Sequence, residues 1–334
     1  MKKSRIAVVG SGVVGTILAA HLLRNREDVI LADSLKCRLA QIKEKGLSID
    51  DPAPFSHGSF TVGAKETCLS VSEAARRGAD TIFICVKASS IRSMLAELKG
   101  ICRGPGKTTL VSFQNGLDTE ELLAQAAGRE NVLRAVVNYA GRLNPDGAVE
   151  ITFFNKPNYI GALEAGAVPR ARAVCEVLTG AGLDTVYSPE IKRQVWEKVI
   201  LNSMMGPVSA LTGMTMRQAL ECAPTRELVL ELGREAIEVA KCSGVSLPGK
   251  FLEFCVSYLT KAGHHKPSML IDMETTGRTE IEFLNGKICE YGAKNKTPVP
   301  FHRAVSALIQ GLESRLLVTR LPVTKSPVTE KRLT

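Results

Sequence analysis

Three observations predict an α/β protein: an N-terminal Rossmann-type doubly wound parallel sheet followed by an all-helical C-terminal domain. A G-x-G-x-x-G loop joins an apolar run to a helix-like run near the amino terminus. Short apolar strands then alternate with amphipathic helices as far as residue 188. Beyond residue 190 the strand signals fade and long helical patterns replace them. A chain of 334 residues is long for a single core, so separate domains over 1–188 and 189–320 are expected, with a polar basic tail over 321–334.

RIAVVG is the first strand. The loop Gly10-Ser11-Gly12-Val13-Val14-Gly15 follows, and TILAAHLLRN continues it as a helix. Gly10 permits the tight turn, Gly12 lets the backbone approach a pyrophosphate, and Gly15 lets helix and strand pack closely. The amino terminus of the helix then faces the phosphates. Residues 6–23 carry no Lys, Arg, Asp or Glu, which resembles a signal peptide or a short membrane span. Three glycines and His21 interrupt the run, so a buried strand and a buried helix explain it better. The second strand, DVILAD, ends at Asp33, where an acid would bond the ribose hydroxyls of NAD. Residues 46–63, with Pro52, Pro54 and Gly58, read as a polar insertion forming a hairpin or loop.

ADTIFICVK (79–87) is a strand and SSIRSMLAELK a helix. TTLVSFQNG (108–116) and DTEELLAQAAG repeat the pair. NVLRAVVNYAG and VEITFFNKPNYIGA read as two further strands, ARAVCEVLTGAG as a helix, and DTVYSP closes the region. Long helices are expected over 190–212, 224–243, 248–262 and 299–318.

Composition narrows the function. Hydrophobic content of 45% with 23% charged residues suits a globular enzyme. The net charge of +9 is dispersed, and its densest groups are the ends (Lys2, Lys3, Arg5 and Lys325, Lys331, Arg332). Aromatics amount to 5% and do not interleave with basic residues, so nucleic acid is not an expected partner. Nine cysteines without C-x-x-C spacing point to free, buried thiols in a reducing cytoplasm. His264 and His265 are adjacent and do not share a helix face, so no metal site is expected.

Several polar residues stand where apolar ones would be ordinary. In VWEKVILNSMMGPVSAL (195–211), Lys198 and Asn202 lie one helical turn apart and share a face. A buried lysine has a partner or a task. The alternative is a side chain near Glu190, Lys192 and Glu197 that snorkels to water. Lys87 and Asn115 fall at carboxyl ends of strands, where ligands bind in open α/β sheets; as structural residues they would be a solvated strand end and a turn residue before Gly116. Ser268, Asp272 and Glu280 are polar members of HKPSMLIDMETTGRTEIEFLNG (265–286). Capping by Ser268 after Pro267, and turn chemistry at Gly277 and Asn285-Gly286, account for much of that stretch but explain Glu280 less well.

GSGVVG, CVK (85–87), QNG (114–116), the W-x-K-x-x-x-N of Trp196–Asn202, and S-M-L-x-D followed by G-R-T-E-I-E and N-G together resemble the ketopantoate reductase family, in the same order over nearly the whole chain. The resemblance implies a Rossmann domain joined to a helical domain, with the active site in the cleft between them. It implies hydride transfer to the ketone of 2-dehydropantoate, giving pantoate in pantothenate biosynthesis. Lys198 would be the catalytic proton donor, and Glu280 an acid near the nicotinamide ribose and the catalytic site. Asn115, Asn202, Ser268 and Asp272 would bind substrate. Gly10, Ser11, Gly12, Val13, Val14, Gly15, Asp33, Lys87, Asn115, Ala140 and Glu280 would contact the cofactor.

Two positions depart from the family pattern. A second asparagine one turn after Asn202 is replaced by Gly206, which would leave room for water or a longer substrate unless it is needed for a helix break before Pro207. The family usually uses NADPH, whereas Asp33 favours NAD because a carboxylate repels a 2′-phosphate; Lys36 and Arg38 stand close enough in sequence to read that phosphate instead. The expected partners are a small 2-oxo acid and a NADP or NAD cofactor, with no nucleic acid and no membrane, and a homodimer is compatible with the resemblance. A same-fold dehydrogenase acting on another 2-oxo acid or an opine is the main alternative, and a non-enzymatic dinucleotide sensor is a further one.

Overall fold

The computed structural model describes residues 4–52, 58–101 and 108–320. Pro54, Cys102 and the charged residues Lys2, Lys3, Lys325, Lys331 and Arg332 lie outside the described residues. The chain forms two compact units. The first runs to Ile200 and takes in Ser243–Leu247, and the second comprises Leu201–Cys242 and the described chain from Pro248.

The first unit follows the alternation in the sequence. Its elements are β1 (Arg5–Val9), α1 (Val13–Arg24), β2 (Asp28–Ala32), α2 (Lys36–Lys45), β3 (Leu47–Asp50), β4 (Phe60–Val62), β5 (Glu66–Cys68), α3 (Val71–Arg76), β6 (Thr81–Ile84), α4 (Ile91–Ile101), β7 (Thr109–Ser112), α5 (Thr119–Ala127), β8 (Val132–Val136), β9 (Tyr139–Leu143), β10 (Val149–Phe154), β11 (Asn158–Ala162), α6 (Val168–Gly180) and β12 (Thr185–Tyr187). The main sheet has the order β12-β11-β8-β7-β6-β1-β2-β5. From β8 to β5 every pairing is parallel, and β11 then pairs antiparallel to β8. Adjacent strand residues feed different cores, as the two-residue repeat of a strand requires. Ile6, Val8, Leu31, Phe83, Val111 and Leu133 fill one, and Ala7, Val9, Ile30, Ile82, Ile84 and Leu110 fill the other. This double burial explains why these strands read as continuous apolar runs.

The two strands expected over residues 131–162 are in fact four. β8 and β11 belong to the main sheet, while β9 and β10 pair antiparallel in a second sheet of order β4-β3-β10-β9. The reversal lies at Asn144–Ala148, where Asn144 donates its N–H to the Ala148 carbonyl at 2.8 Å and Gly147 adopts φ +93°. Glycine takes that conformation without steric cost. The insertion over 46–63 contributes the β3–β4 antiparallel pair to the same small sheet.

The uncharged run near the amino terminus is divided between β1 and α1 by the glycine loop. Among the described residues no helix is long and apolar enough to cross a membrane. The eight described cysteines are free, but Cys37 and Cys242 are exposed rather than buried, since each lies on the outer face of an amphipathic helix.

Helix α7 (Ile191–Thr212) begins just after Pro189, where a missing N–H leaves no helical bond unmade. It runs on without interruption, and the two compact units divide inside it, between Ile200 and Leu201. Gly206 and Pro207 lie within this helix, so Gly206 does not mark a break. The second unit continues with α8 (Met216–Glu221), α9 (Ala223–Cys242), α10 (Phe251–Lys261), α11 (Ser268–Thr275), α12 (Asn285–Asn295) and α13 (Pro300–Arg320). Helices α8 and α12 are not legible as long patterns. The first is a short helix started by a capping box between Thr215 and Gln218. The second opens at Asn285-Gly286, where turn chemistry was expected.

Asn285 is buried because it is a tie. Its Nδ2 donates to the Ser203 carbonyl of α7 at 3.0 Å and lies 3.0 Å from Nδ1 of His302. His302 Nε2 sits 2.9 Å from the Leu232 carbonyl of α9. A carbonyl only accepts, so Nε2 carries the proton and Nδ1 accepts from Asn285. Glu235 caps the start of α13 by accepting from the amides of Phe301 and His302 at 2.9 and 3.0 Å. This network joins α7, α9, α12 and α13 through a neutral imidazole.

Burial lowers His302 from the usual 6.5 to about 4, with the Leu232 carbonyl opposing the shift. The unfolded chain takes up the proton at the ordinary value, whereas the folded chain resists it. The contribution of His302 to stability is therefore complete above about pH 6.5 and is lost as the pH falls toward 4, by up to about 3 kcal/mol. Denaturant unfolding of wild type and His302→Gln should show wild type losing its advantage between pH 7 and 4. Parallel stability profiles would contradict the neutral tie.

Candidate functional site

The parallel sheet reverses its winding direction between β1 and β6, and the chain segments leaving β1, β2, β6, β7 and β8 emerge at one edge. That edge is where open α/β sheets bind ligands. It carries the glycine loop, Asp33, Lys87, Asn115 and Val137 in turn.

The three loop glycines are held to different standards. Gly10 adopts φ +102°, and a Cβ there would stand 2.9 Å from the Val86 nitrogen. A Cβ on Gly15 would stand 1.9 Å from the Gly10 carbonyl oxygen, so only glycine permits α1 to approach the turn. Gly12 has an ordinary φ of −69°, is exposed, and would place a Cβ with nothing within 4 Å. Neither packing nor backbone strain accounts for glycine at this position. Val13 and Val14 open α1, whose first turn has no side-chain cap and no acidic residue, so its free amides suit an anion. These features fit the pyrophosphate of a dinucleotide.

Ser11 turns inward. Its amide and its hydroxyl both donate to Asp33 Oδ2, at 2.7 and 2.6 Å, while Oδ1 accepts from the Leu35 amide at 2.9 Å. Asp33 thus clamps the glycine loop to the end of β2. Lys36 is exposed at the start of α2. Arg38 is directed toward Gln41 Oε1 at 2.9 Å, the Gly147 carbonyl at 3.3 Å and Thr16 Oγ1 at 3.4 Å. Burial lowers its pKa, against the opposing pull of Asp33. Ala140 lies on β9 between two residues that touch α1: the Tyr139 hydroxyl reaches the Val14 carbonyl at 3.4 Å, and a Cβ on Gly141 would meet Val13 Cγ1 at 3.1 Å.

Lys198 does not snorkel toward its acidic neighbours. Glu190 and Glu197 face Arg193, at 2.7 and 3.9 Å. The half-buried Lys198 ammonium instead donates to the backbone carbonyl of Val137, just beyond β8. It lines a small cavity with Gln114, Asn115, Gly116, Arg134 and Val137. Two sequence-predicted residues, Lys198 and Asn115, are therefore brought together within the first unit. Lys87 stands exposed after β6 and opens a short 3-10 turn.

Arg134 went unnoticed in the sequence. It lies in the middle of apolar β8 and is 2% exposed. Its guanidinium faces the Gln114 and Gly116 carbonyls and pairs through Nε with Glu120 at 3.3 Å. Burial raises the pKa of Glu120, with Arg134 pulling it back down. An arginine inside a buried strand was the signal available, because such a charge must be paired.

The other predicted residues belong to the second unit, although Asn202 shares α7 with Lys198 and lies one turn further along it. Ser268 is the first helical residue of α11 and is exposed; it is not the cap, because Pro267 occupies that position and no side-chain capping bond forms. Asp272 is half-buried, and its carbonyl receives the amides of Thr276 and Gly277 at 2.9 Å each. Glu280 is buried, and its carbonyl accepts from the Phe283 and Leu284 amides. Gly206 is buried, and a Cβ there would stand in ordinary contact with Met269, 3.4 Å from both its Cβ and its Cε.

Comparison with known proteins agrees with this layout. The family model described as ketopantoate reductase PanE/ApbA matches residues 6–165, and its C-terminal counterpart matches residues 190–313. The 2-dehydropantoate 2-reductase of Streptococcus pyogenes serotype M3 is 27% identical over 93% of this chain and 98% of its own length. That of Archaeoglobus fulgidus is 27% identical over 95% and 100%. Among solved structures, D-mandelate dehydrogenase with NADH and anilino(oxo)acetate has a TM-score of 0.83 at 22% identity, covering 94% of this chain and 99% of the other. A PanE/ApbA family ketopantoate reductase from Ralstonia eutropha JMP134 has a TM-score of 0.81 at 24% identity, covering 94% and 99%. With both of its family segments matched, the chain belongs to the ketopantoate reductase PanE/ApbA family.

Proposed function

We propose that this chain reduces the ketone of ketopantoate to the alcohol of pantoate, with Lys198 as the proton donor. The observation that carries the reading is the Lys198 ammonium, turned onto the Val137 carbonyl in a cavity shared with Asn115. When bound, a reduced nicotinamide cofactor supplies the hydride. As the carbonyl carbon is reduced, negative charge develops on its oxygen. A fixed ammonium stabilises that charge and delivers a proton to it from Nζ. Lysine has three N–H donors, and anchoring one on a backbone carbonyl restrains the direction of the head group. Asn115 offers an amide donor on the same cavity wall and is the proposed substrate contact there. The family resemblance supports substrate contacts by Asn202, Ser268 and Asp272, and a role for Glu280 beside the nicotinamide ribose.

The glycine loop with Val13 and Val14 would hold the pyrophosphate, with Lys87 and Ala140 as further cofactor contacts. Asp33 supports NAD over NADP. Its position at the end of β2 suits a ribose hydroxyl, and its carboxylate disfavours a 2′-phosphate. Of the two nearby cations that would read such a phosphate, Arg38 is engaged with Thr16, Gln41 and Gly147, while Lys36 is exposed at the start of α2.

Lys198→Ala should lower kcat for ketopantoate about a hundredfold or more, with little change in cofactor affinity, as expected for loss of a positioned proton donor. Steady-state kinetics with ketopantoate check this, and near-normal turnover would refute the assignment. Wild type should use NADH measurably, and Asp33→Ala should weaken NADH binding while narrowing its discrimination against NADPH; a strong NADPH preference in wild type would reverse this reading. Gly12→Ala should keep a near-normal melting temperature yet bind cofactor weakly, whereas Gly15→Ala should lose about 1–3 kcal/mol or more of stability through overpacking. Thermal melts and cofactor titrations separate the two. Equal melting temperatures for both variants would contradict the packing contrast.

A further inference from the structure

We infer that Arg134 is a positioning residue of this site: its buried guanidinium grips the backbone on both sides of Asn115 and sets the direction of that side chain. The inference rests on the reading of Asn115 and Lys198 given above.

The Asn115 turn points its flanking carbonyls inward. Arg134 Nη1 donates to the Gln114 carbonyl at 2.8 Å, and Nη2 donates to the Gly116 carbonyl at 2.8 Å. Gly116 adopts φ +103°, so the chain bends sharply between these two anchors. The same guanidinium reaches Thr119 Oγ1 at 2.7 Å and Ser112 Oγ at 3.1 Å. The Gln114 side chain adds a second tie, donating from Nε2 to the Ile84 carbonyl at the end of β6 at 2.7 Å and accepting from Ser112 Oγ at 2.8 Å. Turn geometry is therefore fixed from β6, β7, β8 and α5 together.

Strand packing alone does not call for this arginine. The other residues of β8 are apolar, and a well-packed apolar side chain usually serves a core as well as a buried ion pair does. Arginine supplies instead a rigid planar fork of donors, which can hold two carbonyls at once. Lysine places its donors on one atom and cannot reproduce that span. Buried carbonyls need partners, and here the partner decides where Asn115 faces.

The test uses the full chain with Arg134→Met, Arg134→Lys and Asn115→Ala, and each arginine variant combined with Asn115→Ala. Ketopantoate reduction gives kcat and KM, and hydrogen exchange is followed over residues 112–119. Arg134→Met and Asn115→Ala should each lower kcat/KM by roughly tenfold to a hundredfold, the scale of a misplaced contact. The double variant should be no more than about threefold worse than the poorer single one, because both changes remove the same contact. Amide exchange over 114–117 should quicken in Arg134→Met, and cofactor affinity should hold. If Arg134→Met does not fold, Arg134→Lys, which keeps a cation opposite Glu120, carries the cycle. Fully multiplicative losses, or unchanged exchange over 114–117 in a folded variant, would overturn the inference. A wild type that does not reduce ketopantoate would overturn the proposed substrate instead, and the exchange measurement alone would then decide the role of Arg134.

Discussion

The contact between Gly15 and the Gly10 carbonyl is the constraint on which the sheet edge depends. No side chain fits there, so α1 meets the turn after β1 at a distance only glycine allows. That approach places the uncapped first turn of α1 beside the end of β2, where Asp33 closes on Ser11. It also sets the surface on which β9 rests, through Tyr139 on Val14 and Gly141 against Val13. Close packing at one point thus organises a loop, a carboxylate clamp and a second sheet.

A different economy governs the other half of the edge. There the turn that carries Asn115 is buried, and directional bonds to its carbonyls hold it. A buried charge on β8 provides them, with Glu120 as its counter-ion. Lys198 approaches from α7 and uses a carbonyl just past the end of the same strand. Strand β8 therefore serves both the turn and the lysine, one through a side chain and the other through its backbone continuation.

Much of this architecture was legible because burial on both faces writes itself as unbroken apolar runs, and because glycine spacing reports backbone proximity. The strands ending at Asp33, Lys87 and Asn115 were read on those grounds. The small sheet was harder. Its strands β3 and β10 come from segments about a hundred residues apart, and local pattern cannot report a pairing at that separation. Short α8 and the buried start of α12 were hidden for a related reason: capping and turn residues look alike until their partners are known. The direction of the Lys198 side chain was also beyond the sequence, since a backbone carbonyl carries no residue signature. The neighbour of Gly206 was hidden as well, since Met269 comes from another helix.

The first unit is not a continuous stretch of chain. It reclaims Ser243–Leu247 after the polypeptide has already passed through Leu201–Cys242, and Lys192 reaches the Ser243 carbonyl at 3.3 Å. Every strand of the main sheet has been synthesised once Tyr187 is made, yet the unit gains its last segment only after helix α9 has been synthesised. Vectorial folding of this chain therefore finishes its nucleotide-fold unit out of order. A truncation at Ile200 removes a piece of the very unit it was meant to isolate.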